Sequence, residues 1–274
     1  MNLLSINFYI CNEDTDLHAF CRMAAAAGAK AVGLTVRAVD ELDVISIKRL
    51  LARYGLMVSS LNSAGYFLFS DAASAAKQER LNERLVATAA ALEAGTLVVI
   101  PGGIAHGSHS IEVSRALVRE GIHDLARRAA RDNVQLGIEP IHPLGILKKG
   151  CVNTLHHAVD IARGHRNLGL TIDFFHSWWD PDFEKIFASD AGLIRLVQIC
   201  NVAAPDHPER FDRELLGQGF IDVRAVLRTI MNGGYRGFFE FEMFPEHLRG
   251  RSVANVIEAI GREYALLTEL PTVP

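Results

Sequence analysis

Four polar side chains that could hold a cation each close an apolar run. Glu139 follows Val134 to Ile138 in NVQLGIEPIHP, Asp173 ends LGLTID, Gln198 sits in IRLVQICN and Glu242 in GFFEFEMF. A carboxylate at the end of a strand buried on both faces loses hydration and gains nothing from packing. Something must compensate it, and a metal ion does so. All four donors are oxygens, because a Gln coordinates only through its amide carbonyl. That set favours a hard divalent cation, Mn²⁺ or Mg²⁺, over zinc, which usually takes His or Cys. Taken singly, a Glu after a strand is usually a solvated loop carboxylate and a Gln a hydrogen-bonding residue. Four such endings, separated by 34, 25 and 44 positions, point to one site at one rim of a sheet.

The elements that must position these residues alternate along the whole chain. Short apolar runs at Leu4–Ile10, Ala31–Val36, Met57–Leu61, Leu97–Ile100, Val134–Ile138, Leu168–Ile172, Leu193–Ile199 and Phe238–Phe241 read as strands. Between and after them, eight stretches with helical spacing run from Asp16 to Leu267, the first two closed by Gly28 and Gly55. Asn62 to Phe69 reads as a loop bearing glycine and aromatic residues. Strict alternation implies a parallel sheet, and eight βα units close a (β/α)8 barrel, the TIM barrel. An open doubly wound sheet usually carries a Gly-rich fingerprint after its first strand, whereas here that strand runs into CNEDTD. No composition shift marks a boundary, so residues 1–274 read as one α/β domain. In such barrels the chemistry sits at the C-terminal strand ends, where the four donors fall.

Composition narrows the classes of partner. A net charge of −4 argues against a generic nucleic-acid or anionic-membrane binder. No apolar run is long enough to span a bilayer, and the N-terminal MNLLSINFYICNEDTD fits a first strand better than a signal peptide. Cys11, Cys21, Cys151 and Cys200 form no CxxC pair and read as reduced thiols of a cytoplasmic protein. Around the donors, His176 in DFFHSWWDP is close enough in sequence to orient a ligand or a substrate hydroxyl, with helix capping as the competing role. His142 in EPIHP is a substrate-contact candidate against a plain loop histidine. Trp178 and Trp179 suit either the apolar wall of a sugar pocket or the core behind it. Lys148 and Lys149 in GILKKG are candidates for a phosphate contact or a solvated pair.

LEAGTLVVIPGG, GIEPIHP, VNTLHHAVDIA, TIDFFHSWWDP, ELLGQGFIDV and GGYRGFFEFEMF together make the chain resemble the xylose isomerase-like barrels. These are the sugar phosphate isomerase/epimerase group that includes inosose dehydratase, hydroxypyruvate isomerase and ketohexose 3-epimerases. The resemblance covers essentially the whole chain. It implies that Glu139, Asp173 and Glu242 are metal ligands, that Glu139 and Glu242 double as the acid/base pair, and that Arg213 in DRELLGQGFID reaches substrate. Most relatives place His where this chain has Gln198 and an acidic residue where it has Asn201, while the hydroxypyruvate isomerase branch looks like a precedent for a Gln ligand. The expected activity is a metal-dependent sugar isomerase or epimerase working through an enediolate on a sugar or polyol-derived substrate. A lyase using the same site, a dehydratase or keto-glycoside-cleaving enzyme, is the alternative. A non-catalytic sugar-binding barrel ranks third. Such relatives are commonly homo-oligomers, dimers or tetramers.

Overall fold

The aliphatic runs pair into one closed parallel barrel in the computed structural model, which describes residues 3–104, 110–203 and 211–268. Its strands are β1 (Leu4–Asn7), β2 (Ala31–Thr35), β3 (Met57–Gly65), β4 (Thr96–Ile100), β5 (Leu136–Ile138), β6 (Leu168–Asp173), β7 (Ile194–Ile199) and β10 (Phe239–Phe241). The order around the ring is β1-β10-β7-β6-β5-β4-β3-β2. Two short segments, β8 (Asn201–Val202) and β9 (Arg213–Glu214), pair antiparallel in the connection after β7. Neither shows in the sequence, since two residues give no period.

Helices α1 (Leu17–Ala26), α2 (Val36–Glu41), α3 (Val44–Tyr54), α4 (Ala72–Leu92), α5 (Ile111–Ala129), α6 (Leu155–Ala162), α7 (Phe174–Ser177), α8 (Phe183–Ser189), α9 (Val223–Asn232) and α10 (Val253–Thr268) surround the ring. Several start where a short polar side chain accepts an otherwise orphaned backbone N–H. Asp16 accepts from Ala19, Asp43 from Ser46, Asp71 from Ser74 and Asp222 from Ala225. Asp43 also splits the single helix expected after β2 into α2 and α3.

Three strand boundaries move by two or more residues from the sequence reading, those of β1 and β3 for a local reason. β1 stops at Asn7 because the Asn7 side chain accepts from Tyr9 N at 2.9 Å and winds Phe8–Ile10 into a 3₁₀ turn. β5 begins at Leu136 rather than Val134. β3 runs on through the expected loop to Gly65, whose φ of 107° and close approach to Ile100 require glycine: an added Cβ would lie 2.1 Å from the Ile100 carbonyl oxygen.

Register sets one polar layer inside the ring. Ser5 pairs with Glu240, Glu240 with Gln198, and Gln198 with Asp173, so four adjacent strands carry polar side chains at one level of an otherwise aliphatic interior. No helix among the described residues is long and apolar enough to cross a membrane, and all four cysteines are free and buried.

Candidate functional site

Glu139 and Glu242 each stand one residue beyond a barrel strand, and the ladder still grips them. Glu139 N donates to Val99 O and Glu242 N to Ile199 O, both at 3.1 Å. β5 and β10 lie three places apart in the ring of eight, so the two carboxylates enter the mouth from well-separated walls. Asp173 ends β6 and also caps α7, its Oδ1 accepting from Phe175 N at 2.9 Å. All three side chains line or underlie the C-terminal rim and are buried.

A guanidinium joins two of them. Arg213, carried by β9 and itself buried, donates from Nη1 to Asp173 Oδ1 at 3.1 Å and from Nη2 to Asp173 Oδ2, and its Nη2 is ion-paired with Glu242 Oε2 at 2.9 Å. Its plane lies 4.5 Å from the Phe175 ring centroid. The guanidinium therefore supplies part of the compensation that the sequence reading gave wholly to a cation. Burial would raise Asp173, yet Arg213 and His176 hold it below the usual carboxylate range. Burial, then the charges of Glu242 and Asp173, push Glu139 well above that range. Burial likewise carries Glu242 up to about 8 against the pull of Arg213.

His176 Nε2 lies 3.7 Å from both Glu139 Oε1 and Asp173 Oδ2, while its Nδ1 accepts from His142 N at 3.3 Å. Burial takes the imidazole down to about 3, so it is neutral at pH 7. With Nδ1 accepting, the ring's one proton is on Nε2, facing the two carboxylates. The ligand atoms of Glu139, Asp173 and His176 come within 4.8 Å of one another, but in this tautomer His176 turns an N–H toward the carboxylates rather than a lone pair. Oxygens remain the donors. Gln198 gives both amide hydrogens away, to Glu240 Oε1 at 3.1 Å and Glu242 Oε1 at 3.0 Å, and its Oε1 is buried with no hydrogen-bond partner among the described residues. An orphaned carbonyl oxygen, together with the buried carboxylates of Glu139, Asp173 and Glu242, of which Arg213 pairs with the last two, suits a bound divalent cation.

Above these groups is a cavity of about 130 Å³ lined by Glu139, His176, Arg213 and Glu242, with Tyr9, Tyr66 and Phe244 as its aromatic walls. Lys149 reaches its edge, with Nζ 5.8 Å from the Phe244 ring, whereas Lys148 is simply exposed. Trp178 faces elsewhere: its ring meets Phe220 edge-on at 5.1 Å and lines a separate cleft with Phe174 and Phe183. His142 caps a turn through Nδ1, stacks on Phe211 at 4.6 Å and touches the site through its backbone N–H to His176. The sequence reading missed Tyr9, Tyr66 and Phe244. Their signal was position, just past the ends of β1, β3 and β10. A roomier groove of about 410 Å³ opens at the opposite rim beside Leu51, Met57 and Phe238, but it holds no comparable group of carboxylates.

Residues 21–267 match the xylose isomerase-like TIM barrel family. A crystal structure of a protein from Sinorhizobium meliloti 1021 is 31% identical, covers 98% of this chain and 99% of that one, and superposes with a TM-score of 0.90. The IolI protein, solved with a binding zinc atom, superposes with a TM-score of 0.82 at 17% identity, covering 98% and 99% of the two chains, a likeness of fold. A 3-dehydroshikimate dehydratase of Pseudomonas aeruginosa is 31% identical over 153 residues, 53% of this chain but only 23% of that longer relative.

Proposed function

The chain belongs to the xylose isomerase-like TIM barrel family, and on that premise we propose that it is a metal-dependent isomerase or epimerase of a small sugar or polyol-derived ketone. The observation that carries this reading is the pair Glu139 and Glu242, two buried carboxylates entering one small cavity from walls three strands apart. Oxygens of Glu139, Asp173 and Glu242, with Gln198 Oε1, would hold Mn²⁺ or Mg²⁺. Such an ion supplies Lewis acidity at a substrate carbonyl oxygen.

The chain's own residues then divide the work. One glutamate takes the proton next to the carbonyl, and the other, across the cavity, returns one. Return to the opposite face of the same carbon inverts it, and return to the neighbouring carbon exchanges aldose and ketose. His176 steadies Glu139 and Asp173 through Nε2. Arg213 keeps Asp173 ionised and holds Glu242 in place. The hydroxyls of Tyr9 and Tyr66, both pushed upward in pKa by burial, stay protonated to donate to substrate oxygens. A volume well under the ~300 Å³ of ordinary ligand pockets suits a small substrate rather than a polymer.

A dehydratase is the second reading, favoured by the partial likeness to the 3-dehydroshikimate dehydratase. The same proton abstraction followed by loss of a β-hydroxyl would give it. Incubating the Mn²⁺-loaded protein in D₂O with ketoses, keto-glycosides and hydroxylated keto acids, followed by NMR, separates the two. An isomerase incorporates deuterium and otherwise conserves the substrate's atoms, whereas a dehydratase releases water. Absence of both deuterium and new product across the panel, with metal demonstrably bound, overturns the catalytic reading.

A further inference from the structure

Two positions before Glu242, and therefore on the same face of the chain, Glu240 is completely buried inside the barrel. Its Oε1 accepts from Asn7 Nδ2 at 2.8 Å and Gln198 Nε2 at 3.1 Å. Its Oε2 accepts from Ser59 Oγ at 2.6 Å and Ser60 Oγ at 2.7 Å. Both oxygens are thus satisfied by neutral donors from β1, β3 and β7. Gly33 on β2 leaves the room for this, since a Cβ there would lie 2.6 Å from Glu240 Oε2. None of the metal, base or substrate-contact roles above uses this carboxylate.

Its effect falls on Gln198. The two amide hydrogens of Gln198 point at two carboxylates, Glu240 and Glu242. With Glu242 ionised, as a metal ligand must be, turning the amide over would set its carbonyl oxygen about 3 Å from two carboxylate oxygens, acceptor against acceptor. The amide is therefore locked with nitrogen toward the acids and Oε1 away from them, and that Oε1 is the buried atom left without a partner. An amide free to rotate offers a cation its NH₂ as readily as its oxygen. This one does not.

We infer that Glu240 is a positioning residue that fixes the Gln198 amide so that its Oε1 serves as an oxygen donor to the divalent cation. The inference rests on the metal reading above and adds to it the group that orients one ligand. Orienting partners of metal ligands are typically worth about 10- to 100-fold in affinity.

Titration calorimetry with Mn²⁺ alone tests it, using wild type, Glu240→Met, Glu240→Gln, Gly33→Ala and Gln198→Ala, with the first and third substitutions repeated in the Gln198→Ala background. Glu240→Met fills similar space and accepts nothing, and it should weaken Mn²⁺ binding by about 10- to 100-fold. Glu240→Gln keeps an acceptor for Gln198 while the serines receive its NH₂, so it should bind nearly as wild type. In the Gln198→Ala background, Glu240→Met should cost nothing further. Gly33→Ala displaces the carboxylate by a separate route and decides the matter if Glu240→Met does not fold. Equal affinity in wild type, Glu240→Met and Gly33→Ala overturns the inference, and so does a loss that persists without Gln198. Wild type that binds no Mn²⁺ overturns the metal reading itself, an outcome distinct from binding that ignores Glu240.

Discussion

Replacing Arg213 by methionine should cost the metal-free protein about 3–5 kcal/mol, the range for breaking a buried ion pair by removing one partner. The guanidinium is 2% exposed and joins Asp173, which is fully buried, to Glu242, which is 4% exposed. No other Lys or Arg pairs with these two carboxylates among the described residues. Methionine keeps much of the aliphatic contact and the packing on Phe175, so the loss isolates the charge. For chains of this size class 1 kcal/mol moves Tm by roughly 2–4 °C, which puts the change at about 6–20 °C. Urea unfolding followed by circular dichroism at pH 7.5 and again near pH 3, below the ordinary Asp value of 3.8, measures it. Arg213 holds the Asp173 pKa down, so its stabilisation is present above the ordinary Asp pKa and is lost as pH falls. The variant should therefore approach wild type in acid. A loss under about 1 kcal/mol at pH 7.5, or one that grows on acidification, would contradict the assignment of Arg213 as the internal counter-charge.

The remaining expectations concern protons, bases and backbone. With Glu242 raised from 4.5 to about 8, the folded metal-free chain holds a proton that the unfolded chain has released, so stability should fall as pH climbs across that interval and level off above it. The slope for this one group is at most about 1.4 kcal/mol per pH unit, read from Tm against pH without metal. Mn²⁺ competes with that proton, so its affinity should rise over the same interval, and a pH-independent affinity by calorimetry would count against Glu242 as a ligand. Glu139→Gln and Glu242→Gln should each lower solvent-deuterium incorporation by about 10²- to 10⁴-fold, with near-UV circular dichroism unchanged. Gly65→Ala should destabilise by at least about 1–3 kcal/mol, because the site combines φ of 107° with Ile100 O at 2.1 Å from the new methyl, and an unchanged Tm would refute that strain.

The sequence by itself determined the barrel and marked where polar side chains end its apolar runs. Strands buried on both faces must read as unbroken apolar runs, so Glu139, Asp173, Gln198 and Glu242 stand out where those runs end. Alternation with amphipathic segments then leaves few topologies. Which partner each polar group meets was decided only by closure of the ring. Glu240 hides inside FFEFE as if it belonged to the core, and its partners Asn7, Ser59 and Ser60 are 233, 181 and 180 positions away. Arg213 finds Asp173 across 40 positions because a two-residue ribbon, too short to have a period, carries it over the mouth. In the sequence Trp178 suits either a pocket wall or the core behind it, and the fold sets its ring against Phe220 while Tyr9, Tyr66 and Phe244 line the cavity. Burial pattern is written locally, residue after residue, whereas a hydrogen-bond partner depends on which strand arrives next to which, and no stretch of chain encodes that alone.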